Sequence, residues 1–84
     1  MNFILTEHAL IKIKKRKIPL SLIEDVYQNP LQVINQDNLS IFQSIVILND
    51  KEYLLRIFVN TNIEPNKIVT VYLTNKITKY MVTE

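Results

Sequence analysis

The spacing of apolar residues changes once along this chain, at Asn29-Pro30. Before this point apolar side chains recur at the spacing of an amphipathic α-helix, and after it they alternate as in a β-strand. A chain that places its helices first and its strands afterwards belongs to the α+β class, because the helices must bury their apolar stripe against the sheet that follows.

The first part of the chain predicts two helices, one over residues 6–17 and one over Leu20–Gln28. Thr6 can cap the first helix, because its hydroxyl accepts a hydrogen bond from a free backbone N–H one turn further on. Pro19 separates the two helices, since the residue before a proline is disfavoured in helical geometry. Residues 2–5 precede the first helix as an extended segment or a short strand.

The second part of the chain predicts four strands, at residues 31–35, 40–48, 52–59 and 68–74. Short loops join consecutive strands, which favours antiparallel pairing of neighbours. We therefore expect one domain, residues 1–84, in which two N-terminal helices pack on a curved antiparallel β-sheet of three to four strands.

The absence of glycine restricts the turns of this sheet. Turns that need a positive φ must use asparagine or aspartate, which tolerate that conformation better than other residues with a side chain. The candidates are Asp37-Asn38, Asn49-Asp50 and the stretch from Asn60 to Asn66.

The third strand is apolar on both of its faces. Leu55 and Ile57 share one face, whereas Leu54 and Phe58 share the other with Arg56. The helices can cover only one face, so the other face requires the C-terminal tail, a second copy of the chain or a partner protein.

Composition excludes several classes of site. The chain has no cysteine and one histidine, so a disulfide, a thiolate metal site and a multi-histidine zinc site are all excluded within one chain. We expect no metal and no cofactor. No apolar run has the length of a membrane span, so we expect a soluble cytoplasmic protein. The net charge of +2 permits an anionic partner without requiring one.

The first candidate cluster lies on the first predicted helix. His8, Lys12, Lys15 and Arg16 fall in one arc, because residues four apart stack on the same face of a helix. This arc suits contact with phosphate groups, with His8 as a proton carrier near neutral pH. The alternative is an exposed polar helix face.

The second candidate is Arg56, whose guanidinium emerges from an apolar strand face. An arginine in such a place needs an anionic partner, because burying an unpaired charge is unfavourable. That partner is either a ligand or an internal carboxylate, from Glu24, Asp25 or Glu52.

The third candidate is the group of Lys76, Lys79 and Tyr80, just after the last strand. Lysines can stabilise the charge of a pentavalent phosphate, and a tyrosine can stack on a base or donate a proton. The alternative is a solvated basic tail. Taken together, these residue types suit cleavage of a phosphodiester by the 2′-hydroxyl of RNA, which needs no metal.

The two ends of the chain resemble a small bacterial family. Its signature, written H-A-x-x-R-[MLI]-x-x-R-x-I, is matched from His8 to Ile18, with Lys12 in place of the first arginine. Its closing strand and terminal S-K-x-x-K-Y are similar to residues 70–80, with Asn75 in place of serine. The chain also differs at Lys17, where glycine is common. The family is grouped with toxins of the RelE/ParE and BrnT types.

The resemblance implies a RelE/ParE-like fold and a toxin of a type II toxin–antitoxin pair, acting as a metal-independent endoribonuclease, or mRNA interferase. RNA, free or on the ribosome, and a cognate antitoxin are the implied partners. The expected catalytic residues are His8, Arg56, Lys76, Lys79 and Tyr80, and the expected RNA-binding residues are Lys12, Lys15, Arg16 and Tyr72.

Two other functions stay open on the sequence alone. One is a non-catalytic protein-interaction module, either a homodimer or a toxin-like fold that acts on a protein target. The other is a plain RNA-binding domain. Salt separates the RNA functions from the protein function, because phosphate contacts make affinity fall steeply as salt rises.

Overall fold

The computed structural model describes residues 2–83 and confirms the α+β class. In chain order the elements are β1 (Phe3–Leu5), α1 (Glu7–Arg16), α2 (Leu20–Gln28), β2 (Gln32–Gln36), β3 (Leu39–Leu48), β4 (Lys51–Asn60), β5 (Asn66–Thr74) and α3 (Ile77–Tyr80).

The strands form one sheet in the order β1-β5-β4-β3-β2. Strands β2 to β5 make the expected antiparallel meander, whereas β1 pairs parallel to β5, with Phe3 opposite Asn66. The expectation of a purely antiparallel sheet of three to four strands is therefore wrong, because the sheet is mixed and has five strands. A strand of three residues is too short to show a period, so its pairing had no signal in the sequence.

Two hairpin turns use the asparagine and aspartate residues that the lack of glycine predicted. Asp37 and Asn38 join β2 to β3, and Asn49 and Asp50 join β3 to β4, all with positive φ. Two-residue turns with positive φ at both positions match the right-handed twist of the strands they join. The third candidate stretch, from Asn60 to Asn66, has no residue with positive φ.

The hydrophobic core lies between the two long helices and one face of the sheet. α1 contacts β5, and α2 contacts β3 and β4. The face of β4 that the helices cover is the one with Leu55, Ile57 and Val59, which are fully buried in the same cluster as Ala9 and Ile23. This arrangement leaves the opposite face of the sheet without cover from α1 or α2, and we call it the second face.

Helix α1 also protects the edge of β5 that β1 leaves unpaired. The Thr6 hydroxyl accepts from the Ala9 N–H at 3.0 Å as the helix cap and donates to the Val69 carbonyl at 2.6 Å. At the other end of the helix, Arg16 Nη1 donates to the Leu73 carbonyl at 3.0 Å. The helix is thereby fixed along the strand, and its cationic residues are held beside the end of β5.

No helix within residues 2–83 combines the length and the apolar character needed to cross a membrane.

Candidate functional site

One row of side chains crosses the second face from β2 to β5. The register of the sheet places Gln32 opposite Gln43, Gln43 opposite Arg56, and Arg56 opposite Tyr72. Because partners in neighbouring strands point to the same side of a sheet, these four side chains lie next to one another. The row brings together two residues predicted for function, Arg56 and Tyr72, with two glutamines that were not.

Arg56 lies at the centre of this row and is only 9% exposed. Its Nε donates to Gln43 Oε1 at 2.9 Å, and its guanidinium carbon lies 4.5 Å from the centroid of the Tyr80 ring. The Phe58 ring is 5.4 Å away. Burial lowers the pKa of Arg56, while the phenol groups of Tyr80 and Tyr72 act in the opposite direction. An arginine nonetheless stays protonated at neutral pH.

The partners of Arg56 differ from the internal salt bridge considered above. Within residues 2–83 the guanidinium contacts an amide and aromatic rings, and Glu24, Asp25 and Glu52 are not among its partners. Within the described residues no carboxylate is among the partners of this buried cation, so its charge is not neutralised by an internal ion pair.

The C-terminal tail covers the row, which is one of the three ways of shielding this face. The short helix α3 ends at Tyr80, whose backbone carbonyl accepts from Gln43 Nε2 at 3.1 Å. Gln32 holds Val82 at both backbone groups, with Nε2 to the Val82 carbonyl at 2.6 Å and Oε1 from the Val82 N–H at 3.1 Å. These contacts attach the tail to the sheet at Tyr80 and Val82. We call Gln32 and Gln43 the glutamine clamp.

Tyr72 and Tyr80 form an aromatic pair beside the covered arginine. Their rings meet edge to face with centroids 5.7 Å apart, and Lys79 Nζ lies 5.3 Å from the centre of the Tyr80 ring. Hydrogen bonding from Tyr80 lowers the pKa of Tyr72 most, followed by hydrogen bonding from Thr74 and the positive charges of Lys76 and Lys79. The site therefore favours a developing negative charge at the Tyr72 oxygen.

Three cationic residues of α1 line a small cavity on the other side of Tyr72. Its volume is about 160 Å³, and its lining includes all four residues predicted to bind RNA. These are Lys12, Lys15, Arg16 and Tyr72. Two further cavities, at the turn between β2 and β3 and between α2 and β3, have no lysine or arginine in their linings. Of these cavities, the one beside α1 is thus the one suited to an anion.

The structure therefore brings most of the predicted residues onto one continuous surface, with Tyr72 between two basic groups. His8 is the exception. It is exposed in the first turn of α1 and does not line the cavity. It lies eight positions before Arg16, which is about 12 Å along a helix axis. A role for His8 together with Tyr80 or Lys79 has no support in this geometry.

The lowered pKa of Tyr72 gives a test of the local charges. In a spectrophotometric titration of the phenols, the transition that is lost in Tyr72→Phe is expected below the ordinary midpoint of about 10. Lys76→Ala and Lys79→Ala should each move that transition upward, because each removes a positive charge that favours the phenolate. Lys51→Ala should leave it in place, because Lys51 lies five residues along β4 from Arg56, the register partner of Tyr72, which is about 17 Å.

The sign of the accompanying stability effect follows from linkage. A phenol with a lowered folded-state pKa stabilises the fold above the unfolded pKa, and this stabilisation is lost as pH falls through the folded value. Tyr72→Phe should therefore change stability at alkaline pH more than at pH 7. An equal effect at both pH values would contradict the assignment.

Comparison of the chain with models of protein families, with curated proteins and with solved structures finds no match.

Proposed function

We propose that this protein is the toxin of a type II toxin–antitoxin pair and acts as a metal-independent endoribonuclease. The observation that carries the proposal is the junction at Tyr72. On one side of this residue lie Arg56, Tyr80 and Lys79, and on the other lies the cationic cavity beside α1. A strand of RNA that crosses this junction can place one phosphate in each basic group, and the two groups have different tasks.

The group around Arg56 is the one suited to chemistry. Cleavage forms a bond from the 2′-oxygen to phosphorus and breaks the bond to the 5′-oxygen, with one proton taken from the first oxygen and one given to the second. Arg56, Lys76 and Lys79 neutralise the negative charge that builds up on the non-bridging oxygens of the phosphate. Tyr80 is the proton carrier that we favour over His8, because Tyr80 contacts the arginine and His8 is distant from it.

The group in the cavity beside α1 is suited to binding. Lys12, Lys15 and Arg16 hold the RNA backbone through charge, while Tyr72 offers a ring on which a base can stack. Part of this arrangement is fixed in advance, because Arg16 is already bonded to the end of β5.

The RelE/ParE-like fold and the toxin family enter this proposal through the resemblance described above. Two features agree with it. Lys17 ends α1 in the left-handed conformation, with φ of 53°, at the position where the family commonly has glycine. Tyr80, which matches the terminal motif, lies over Arg56, and Lys79 of the same motif lies against the Tyr80 ring. The implied partners are RNA, in solution or on the ribosome in the cytoplasm, and an antitoxin that covers the basic surface.

A non-catalytic interaction module is the second candidate, and exposed apolar side chains favour it. Ile45 and Ile47 lie on β3, on the same face of the sheet as Gln43, and are 42% and 70% exposed. Apolar groups clustered in this way are typical of a surface that binds a protein. A toxin also needs such a surface for its antitoxin, so the two candidates must be separated by experiment.

The test is induced expression in a bacterium, with RNA ends mapped in parallel and with cleavage measured on purified RNA. The wild type should arrest growth and produce new RNA ends. Lys79→Ala should lose both, with a fall in cleavage of about 100-fold or more, because a cation beside the reacting phosphate is removed. Its RNA affinity should stay within severalfold and should fall as salt rises. Lys51→Ala is the matched control and should behave as the wild type.

Two outcomes would contradict the ribonuclease. Growth arrest without new RNA ends would indicate a protein target. Normal growth in cells that contain the folded protein would leave the interaction module as the better account.

A further inference from the structure

We propose that Gln43 is a positioning residue that holds Arg56 and the C-terminal tail in a single arrangement. The inference rests on the proposed ribonuclease function, since Arg56 and Tyr80 are the groups being positioned. Gln43 has no direct part in the chemistry, because its side chain is 0% exposed and lies beneath the tail.

The oxygen and the nitrogen of the Gln43 amide form hydrogen bonds with different partners, which lie in different directions from the amide. The oxygen accepts from Arg56 Nε at 2.9 Å. The nitrogen donates to Gln32 Oε1 at 2.8 Å and to the Tyr80 carbonyl at 3.1 Å. A primary amide has two N–H donors, so both are in use. No rotation of this side chain preserves all three bonds.

The orientation of the amide is set by Arg56. A guanidinium can only donate hydrogen bonds, so the oxygen of Gln43 must face it and the nitrogen must face away. The nitrogen then meets two acceptors, Gln32 Oε1 and the Tyr80 carbonyl. Gln32 is oriented in turn, which directs its own nitrogen to the Val82 carbonyl. Arg56 thereby determines which way the amide oxygens and nitrogens of both residues in the glutamine clamp face.

The consequence is that the position of the tail and the direction of the guanidinium depend on each other. The Tyr80 ring lies over the guanidinium at 4.5 Å, and the Tyr80 backbone is bonded to the amide that receives the Arg56 Nε proton. If Gln43 loses its donors, the tail loses its anchor near Tyr80. If Gln43 loses its acceptor, Arg56 loses the bond that fixes Nε.

Two substitutions separate these roles. Gln43→Glu keeps an acceptor for Arg56 and removes both N–H donors, whereas Gln43→Met removes donors and acceptor at similar size. Gln36→Met, at an exposed glutamine near the end of β2, is the matched control. The first measurement is backbone hydrogen exchange at residues 79–82 without RNA, together with protection of the Arg56 Nε proton by NMR. The second is the kcat and KM of RNA cleavage.

Both Gln43 variants should speed exchange in residues 79–82 by about tenfold or more. Gln43→Glu should keep the Arg56 Nε proton protected, and Gln43→Met should lose that protection. Both should lower kcat by about tenfold or more and leave KM within about threefold, because the positioned groups act on the transition state and the α1 cavity still binds RNA. The Gln36→Met control should change neither reading.

Unchanged exchange in the tail of Gln43→Met would overturn the positioning role, as would faster exchange with normal kcat. A wild type that does not cleave RNA while its tail responds to Gln43→Met would instead overturn the proposed function, because the exchange readings require no substrate. The failure of one proposal is thus distinguishable from the failure of the other.

Discussion

If the proposed ribonuclease function holds, an Arg56→Leu variant is expected to remain folded and to lose RNA cleavage by about 100-fold to 1000-fold, the range seen when a charge-stabilising donor is removed. The fold should survive because the change removes a buried cation that has no carboxylate among its partners within residues 2–83, and burying an unpaired charge is unfavourable. The oxygen of Gln43 loses its donor, which costs about 1–3 kcal/mol, and burial of leucine offsets part of this. Circular dichroism, urea unfolding and single-turnover cleavage are the measurements.

Two further substitutions serve as controls for this prediction. One keeps the positive charge at position 56, and the other removes an arginine at a different position. Arg56→Lys keeps the charge and loses the planar fork, so it should retain more cleavage than Arg56→Leu but less than the wild type. Arg16→Leu, in the α1 cavity, should raise KM more than it lowers kcat, because Arg16 belongs to the binding group. If folded Arg56→Leu cleaves RNA at the rate of the wild type, Arg56 has no part in the chemistry.

The largest effect on stability is expected from Leu55→Ala. Leu55 lies in the middle of β4, is fully buried and belongs to the core between helices and sheet. Truncating such a side chain costs about 2–5 kcal/mol, which combines lost burial with the cavity left behind. A domain of this size has a total stability of about 5–10 kcal/mol, so the variant should be close to unfolding at 37 °C. Urea unfolding at 25 °C gives the value.

Ile47→Ala is the comparison, since Ile47 is 70% exposed. It removes a side chain of the same volume from a strand in the same sheet, and its effect on the free energy of unfolding should stay within about 0.5 kcal/mol. Similar losses for the two variants would mean that the second face is covered in solution, and sedimentation would then show whether a second copy covers it.

The fold was predictable where local signals were strong. Pro19 and Asn29-Pro30 enclose α2, and the structure has this helix at the predicted residues, Leu20–Gln28. The alternation in β4 correctly separated Leu55 from Arg56. The parallel pairing of β1 and the helix α3 could not be predicted, because these elements have three and four residues and are held by partners distant in sequence. Tertiary contacts decide such short elements more than propensity does.

The site was predictable in its residue types and only partly in its geometry. The sequence pointed to Arg56 as an unusual cation, but the tail that covers it could not be placed. Gln43 could have been found. Asn49-Asp50 predicts a two-residue turn, which pairs Leu48 with Lys51, and counting back along the hairpin places Gln43 opposite Arg56. A glutamine within an apolar strand and opposite a buried arginine is a sign of a polar network.

The turns of this protein also affect the chain before it folds. Lys17 and the residues of the two hairpin turns adopt left-handed backbone conformations although each has a side chain. This is strained relative to glycine in the native state. A residue with a side chain, however, has fewer backbone conformations than glycine in the unfolded chain and so loses less entropy on folding. A glycine-free chain therefore begins folding from a narrower set of conformations. Part of the stability of its hairpins comes from this smaller backbone entropy of the unfolded chain.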